Sequence, residues 1–404
     1  MQITYRISWL RHVAVFPLLL IGWYTNAQQP IPHDDDPTTA IVLQQALNDP
    51  RVQNRIHELV SSIVSSEDGQ RVYVAWYTGG SDEGTGNYVT VALSTDQGNT
   101  WRNDELVIYP SDTTIRIYDP ALWRDRDGKI WLFYTSVSEG KFWDLRGGVH
   151  ATQIDWDGSK VTYTKPVRLA DGVMMNKPVY ISQQDFVLFP ISVWHWRKQF
   201  RKGQKEVKPD TVPIPDGSFI HKFDYKSGKR KIDRLHTYSK LAVLPDSMRT
   251  YDEHQVVQIS DNGELLCFLR AEKGIYYAYS TDFGKTWTSL IPFTLTGPTP
   301  SARIHISKLH SGNLLLILND APTRTNMTAF LSEDGGKTWP YKLLLDKRKK
   351  VSYPDASQSN DGYIHVTHDR DRFGARDILY LRFTEDDIRQ GNEDNIFRKR
   401  VNPK

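Results

Sequence analysis

Three stretches of the chain concentrate side chains that can move protons or hold anions. The Gly-rich loop Gly79-Gly80-Ser81-Asp82-Glu83-Gly84 offers two carboxyls. The stretch from Asp252 to Arg270 offers Glu253, His254 and a guanidinium. The stretch from Asn319 to Asp355 offers Arg324 and Tyr353. Carboxyl, imidazole and phenol groups serve as general acids and bases. Arginine binds carboxylates through paired, charge-assisted hydrogen bonds. Such a set can move a proton on an anionic substrate. Each member also has an ordinary counterpart. Asp82 and Glu83 fit a turn, the arginines fit surface ion pairs, and Tyr353 is one of 20 tyrosines. His57 and His254 fit satisfied core or surface histidines.

Repeated elements must position these residues. The box Ser-x-Asp-x-Gly-x-Thr-Trp occurs at Ser94–Trp101, Ser280–Trp287 and Ser332–Trp339. Its aspartate suits the amides of a tight turn, its glycine a positive φ, and its tryptophan packing back onto the same unit. The box is therefore structural. A second repeat sets the count. A turn signal precedes an apolar strand six times: at Val72–Trp76, Ile130–Tyr134, Phe186–Phe189, Leu265–Leu269, Leu314–Leu318 and Tyr363–Val366. Gly263, Gly312 and Gly362 are 49 and 50 residues apart, and Gly69 and Gly128 are 59 apart. Short strands at even spacing indicate an all-β array, and six units of four strands make a six-bladed β-propeller. The continuous apolar runs fit inner strands buried between blades. A charged insertion around 197–216 fills the widest gap. Thr38 to Val64 reads as a short helix, and the charged tail from Asp386 as a fraying end. No linker separates a second domain, so residues 28–404 are expected to form one propeller.

The order of residues between the boxes resembles the sialidase (neuraminidase) superfamily of BNR, or Asp-box, repeat propellers. Asp252-Glu253-His254-Gln255 followed by Arg270 and the box at 280 resembles that family's central region. Asn319-Asp320-Ala321-Pro322-Thr323-Arg324 before the box at 332 resembles its third-arginine segment. Val351-Ser352-Tyr353-Pro354-Asp355 resembles the segment of its nucleophilic tyrosine, and Ile378–Thr384 its closing strand. Blade one departs from the pattern. The family's Arg-Ile-Pro motif is replaced by His57-Glu58-Leu59-Val60, so the first of three carboxylate-binding arginines is missing. Asp119-Pro120-Ala121 and Asn176-Lys177-Pro178 resemble a divergent branch that also lacks the motif.

The resemblance implies an exo-acting glycosidase that removes a terminal acidic sugar. Sialic acid carries a carboxylate on its anomeric carbon, which repels a carboxylate nucleophile. A neutral tyrosine avoids this, and sialidases are an exception to the two-carboxylate glycosidase pattern. Tyr353 is then the nucleophile, Glu253 its proton partner, and Asp82 or Glu83 the acid/base. Arg270, Arg324, His57 and Lys177 are the expected substrate contacts. Arg116, Arg303 or His57 is the expected stand-in for the missing arginine. A lyase or glycosidase acting on a uronate-containing glycan uses overlapping parts, and a non-catalytic glycan binder is the third reading.

Bulk properties bound these readings. The 51 basic and 48 acidic residues nearly balance, which gives no footprint for nucleic acid. The runs Arg197–Lys202 and Lys347–Lys350 read as solvated loops. The lone Cys267 sits in an apolar run and cannot form an intramolecular disulfide. No metal or cofactor motif occurs. At the N-terminus, Arg6 and Arg11 precede the apolar run Val13–Trp23 and the small-residue site Thr25-Asn26-Ala27. This reads as a signal peptide over 1–27 and implies an exported protein with no membrane span after its removal. The expected partner is a glycan, and the expected state is a monomer.

Overall fold

A computed structural model describes residues 39–138, 147–194, 216–225, 232–241, 244–245 and 247–402. Residues 1–27, read from sequence as a signal peptide, and nearly all of the charged insertion lie outside these residues. The chain folds as six antiparallel sheets, the blades of a six-bladed β-propeller. The innermost strands are Glu58–Ser65, Arg116–Arg124, Val179–Ile181, Gln255–Gln258, His305–Lys308 and Val351–Gln358. Within each blade the chain runs outward from the axis. Blades 3 to 6 have four strands each and the first two have five.

The six apolar runs read from the sequence are the second strands of the six blades, one in each. Their continuity has a direct cause. Both faces of such a strand meet a neighbouring blade, so no position alternates to water. The hydrophobic clusters sit accordingly at the blade junctions. Trp131 and Phe133 of blade 2 pack with Phe189 and Ile191 of blade 3. Val72, Val74 and Trp76 of blade 1 pack with Ile378 and Tyr380 of blade 6, closing the ring.

All three boxes form the same turn. In the first, the Ser94 hydroxyl donates to Asp96 Oδ1 at 2.7 Å and accepts from Gly98 N at 2.8 Å. Asp96 also accepts from Thr100 N and Thr100 Oγ1, at 2.8 and 2.7 Å. The boxes at 282 and 334 repeat these bonds to within 0.1 Å. Gly98 has φ 85°, and a Cβ there would lie 2.1 Å from Tyr380 of blade 6. The tryptophan packs onto its own unit, as expected from sequence, and also onto the neighbouring blade. Trp101 of blade 1 meets Tyr380 edge-on at 5.3 Å, and the Trp287 indole donates to Ser239 of blade 3. The boxes thus join blades as well as turning strands.

Two expectations are corrected. Among the described residues 39–64, the α-helix expected over Thr38–Val64 does not form. Ala40–Gln44 is a strand on the outer edge of blade 1, paired with Arg102–Pro110, followed by two short 3-10 turns. Pro50 interrupts any longer helix, and Leu59–Val64 lies buried in the innermost strand. The tail, expected to fray, is built into blade 6 as far as it is described. Thr384 and Asp387 form a capping box that starts helix Glu385–Gln390, and Phe397–Arg400 then completes blade 6 against Asp377–Phe383. Cys267 is buried, and burial raises its thiol pKa. The Lys347–Lys350 run is exposed, with Arg348 paired to Asp346 and Lys350 to Asp371.

Candidate active site

Strand alternation brings two kinds of segment to one face of the propeller: the entry to each innermost strand and the loop between second and third strands. A pocket of about 220 Å³ opens there, lined by Glu83, Arg116, Asp119, Glu253, Arg270, Arg324, Tyr353 and Arg372, among others. Tyr77, Tyr118, Trp194 and Tyr251 add aromatic wall.

Tyr353 stands at the centre. Its strand breaks register between Ser352 and Asp355, and Tyr353 itself has φ 56°. A left-handed non-glycine residue costs about 1–3 kcal/mol and persists only where its surroundings enforce it. Here the bulge sends the side chain across the axis to blade 4. The Tyr353 hydroxyl donates to Glu253 Oε1 at 2.8 Å. Arg270 Nη1 donates to the same oxygen at 2.6 Å and to the Tyr353 oxygen at 2.8 Å. The guanidinium carbons of Arg372 and Arg324 lie 4.2 and 5.3 Å from the centre of the Tyr353 ring. Burial raises the Tyr353 pKa above its ordinary value, and the three arginines oppose that rise. The group is therefore a neutral phenol at neutral pH, hydrogen-bonded to Glu253.

Two carboxyls face this triad. Glu83 is held in its loop beside Tyr77, whose hydroxyl donates to it at 3.3 Å, with Arg116 3.9 Å away. Asp119 sits on a second bulge, in blade 2, with φ 49°. Burial pushes its pKa up to about 7 against the pull of Arg116.

Of the residues expected from sequence, Tyr353, Glu253, Arg270, Arg324 and Glu83 are brought together. Asp82 does not line the pocket; its backbone carbonyl accepts from Asn87. His57 is fully buried behind the wall, between Tyr77 and Phe373, and burial lowers its pKa to about 4. Lys177 lies below the pocket on the axis, paired with Asp355 at 2.6 Å, and its ammonium is taken by carbonyls of Ile63 and Leu122. His254 is a buried imidazole between the carbonyls of Asp252 and Phe219.

Arg372 and Asp119 were missed as site residues. Where the family's first arginine belongs, blade 1 has a third bulge, with Val60 at φ 54° lining the pocket. Asp369 accepts from Val60 N at 3.0 Å and pairs with Arg372 at 3.0 Å. Arg372 thus enters from the blade 6 loop beside the residue that replaces the arginine. Burial works against its charge, but Asp369 and Tyr353 raise its pKa overall. A signal existed: Arg372 occupies the same second-to-third-strand loop in blade 6 as Arg324 in blade 5 and Glu83 in blade 1. Among the described residues, no group of three or more His, Cys, Asp or Glu is placed to hold a metal ion.

Residues 70–366 match the family described as BNR repeat-like domain. The chain belongs to that family and is a BNR-repeat propeller. Among curated proteins no match is found. Solved structures similar in fold include a Hadza microbial sialidase, at 18% identity and TM-score 0.61, covering 82% of this chain and 66% of the sialidase chain. A protein of unknown function from Dyadobacter fermentans matches at 16% identity and TM-score 0.57, covering 83% of this chain and 94% of its own. The leech intramolecular trans-sialidase, complexed with 2,7-anhydro-Neu5Ac, matches at 14% identity and TM-score 0.60, covering 84% and 70%.

Proposed function

We propose that this chain is an exo-acting glycosidase of sialidase type that removes a terminal acidic sugar from glycans. The observation that carries the reading is the convergence of Tyr353, Glu253 and Arg270 under two further arginines. The Tyr353 oxygen attacks the anomeric carbon while its proton passes to Glu253. Glu83 protonates the leaving oxygen and then, as a carboxylate, takes a proton from the water that releases the sugar. Arg270, Arg324 and Arg372 hold the substrate carboxylate by charge-assisted hydrogen bonds. Asp119, largely protonated below pH 7, offers a donor to a sugar oxygen. In the same proposal the activity lies outside the cytoplasm, a reading supported by the apolar N-terminal run Val13–Trp23 behind Arg6 and Arg11.

A missing arginine and nearby histidines would suit a lyase. Arg372 supplies a cation at the vacated position, and His57 and His254 are buried outside the pocket. The test is release of sugar from a chromogenic sialoside, run beside an ultraviolet trace on a uronate polysaccharide. Sialoside turnover supports the reading. An unsaturated, ultraviolet-absorbing product supports the lyase instead. Glycan binding without turnover, unchanged in Tyr353→Phe, supports a binder.

A further inference from the structure

Beneath the pocket, on the propeller axis, lies a cation that the proposed chemistry does not use. Arg303 precedes the innermost strand of blade 5 and is 1% exposed. Its described hydrogen bonds all go to backbone carbonyls. Nη1 donates to Met175 O at 3.0 Å; Nη2 donates to Ser61 O at 2.8 Å, Pro354 O at 3.0 Å and Tyr353 O at 3.3 Å. One guanidinium therefore grips the backbone within the bulges of both blade 1 and blade 6.

The next residue is anchored as firmly. Asp355 Oδ2 accepts from Ser62 Oγ, Ile63 N and Lys177 Nζ at 2.6, 2.9 and 2.6 Å, and His305 Nδ1 lies 3.0 Å from Oδ1. Residues 353 to 355 are thus held from below by blades 1 and 5 and by the approach to blade 3.

Burying a cation is costly, and stability alone does not require one, since apolar replacements of buried ions are often neutral or stabilising. A guanidinium adds a planar set of donors that holds several carbonyls in one fixed relation. Those carbonyls belong to the residue in left-handed conformation whose hydroxyl must meet Glu253 and Arg270. We propose that Arg303 is a positioning residue. By holding the carbonyls of Ser61, Tyr353 and Pro354, it keeps the Tyr353 bulge in the one conformation that aims the phenol at Glu253 and Arg270. This rests on the reading of Tyr353 as the nucleophile.

The test is Arg303→Lys, which keeps the charge but cannot span the same carbonyls. With a chromogenic sialoside, kcat is expected to fall by about 10–100-fold, the scale of a misplacement near 1 Å. KM should stay within about threefold, because the side chains of Arg270, Arg324 and Arg372 are untouched. A second reading needs no activity. In protein labelled with fluorotyrosine, the 19F line of Tyr353, assigned through Tyr353→Phe, should shift or split in Arg303→Lys. A wild-type kcat or an unchanged Tyr353 line in the folded variant overturns the proposal. If the wild type turns over no sialoside, the functional reading falls, and the 19F line alone still decides whether Arg303 orders Tyr353. Should Arg303→Lys fail to fold, Arg303→Gln, planar and uncharged, is read in the same two ways.

Discussion

The first and last blades use one backbone device to different ends. In blade 1 the innermost strand breaks register between Leu59 and Ser62, with Val60 at φ 54°. In blade 6 the break falls between Ser352 and Asp355, with Tyr353 at φ 56°. Blade 2 repeats the form with Asp119 at φ 49°. Three such bulges around one pocket show that the backbone shape belongs to the array, while the side chain at the bulge varies. Valine supplies wall, tyrosine a polar hydroxyl, and aspartate a buried acid. Arg372 of blade 6 lies beside the blade 1 bulge, and Asp369 binds both Arg372 and the Val60 amide. In a ring of repeats, a charge can reach one place in the pocket from either of two adjoining blades.

Tyr353→Phe is the largest test of this contrast, because it makes the blade 6 bulge as unreactive as that of blade 1. It removes one hydroxyl and leaves the ring under its arginines. Turnover of a sialoside is expected to fall by about 10³-fold or more, the scale of losing a nucleophile that acts in a unit. Steady-state kinetics measure it, and an unchanged melting temperature shows that the fold is intact.

Arg372→Ala comes next. Hydrogen bonds to a charged group contribute about 1.5–3 kcal/mol, so kcat/KM is expected to fall about 10–100-fold. Adding Val60→Arg moves the cation back to blade 1. The double variant should recover part of the loss, because the two positions flank Asp369. No recovery would mean that they do not serve one subsite.

The boxes provide a contrast away from the pocket. Their turns join third to fourth strands, at the opposite face from the site. Asp282→Ala removes an acceptor of bonds from Ser280 and Thr286. It is expected to lower unfolding free energy by about 1–2 kcal/mol and leave kcat/KM unchanged. Denaturant melts and kinetics on the same preparation check both halves.

The fold was legible where burial wrote it into composition. Second strands meet apolar neighbours on both faces, so Leu314–Leu318 reads as an unbroken run. Outer strands escape this logic. Ile291–Pro292 is exposed and short, and Ala40–Gln44 is a strand only because the edge at Arg102–Pro110 accepts it. The site divides in the same way. Glu253, Arg270, Arg324 and Tyr353 stood out by their order around the boxes. Arg372 lies in Arg370-Asp371-Arg372, which reads as solvated charge. Its inward aim comes from Asp369, three residues earlier in the same blade, and the carboxylate of Asp369 gains the Val60 amide only once blade 6 has met blade 1. Lys177 shows the converse: its sequence context suggests a substrate contact, and the fold pairs it with Asp355 on the axis.

The smallest expected effect separates a buried acid of the blade 1 wall from one in the pocket. Burial pushes both Glu58 and Asp119 up to about 7. Glu58 sits beneath the Val60 bulge, bonded to the Trp76 indole, whereas Asp119 lines the pocket. Each keeps its proton in the fold over a range where the unfolded chain has already lost it. The folded state then binds more protons, so their contribution to stability is full below about pH 4 and fades as pH rises through about 7. Glu58→Gln and Asp119→Asn cannot titrate, and each should flatten its share of that decline in denaturant melts at pH 5 and pH 8. Only Asp119→Asn should also move the limb of the kcat/KM profile near pH 7, because only that carboxyl meets substrate. An equal shift of the rate profile in Glu58→Gln would show that the blade 1 acid is coupled to the site and that the two bulges do not work independently.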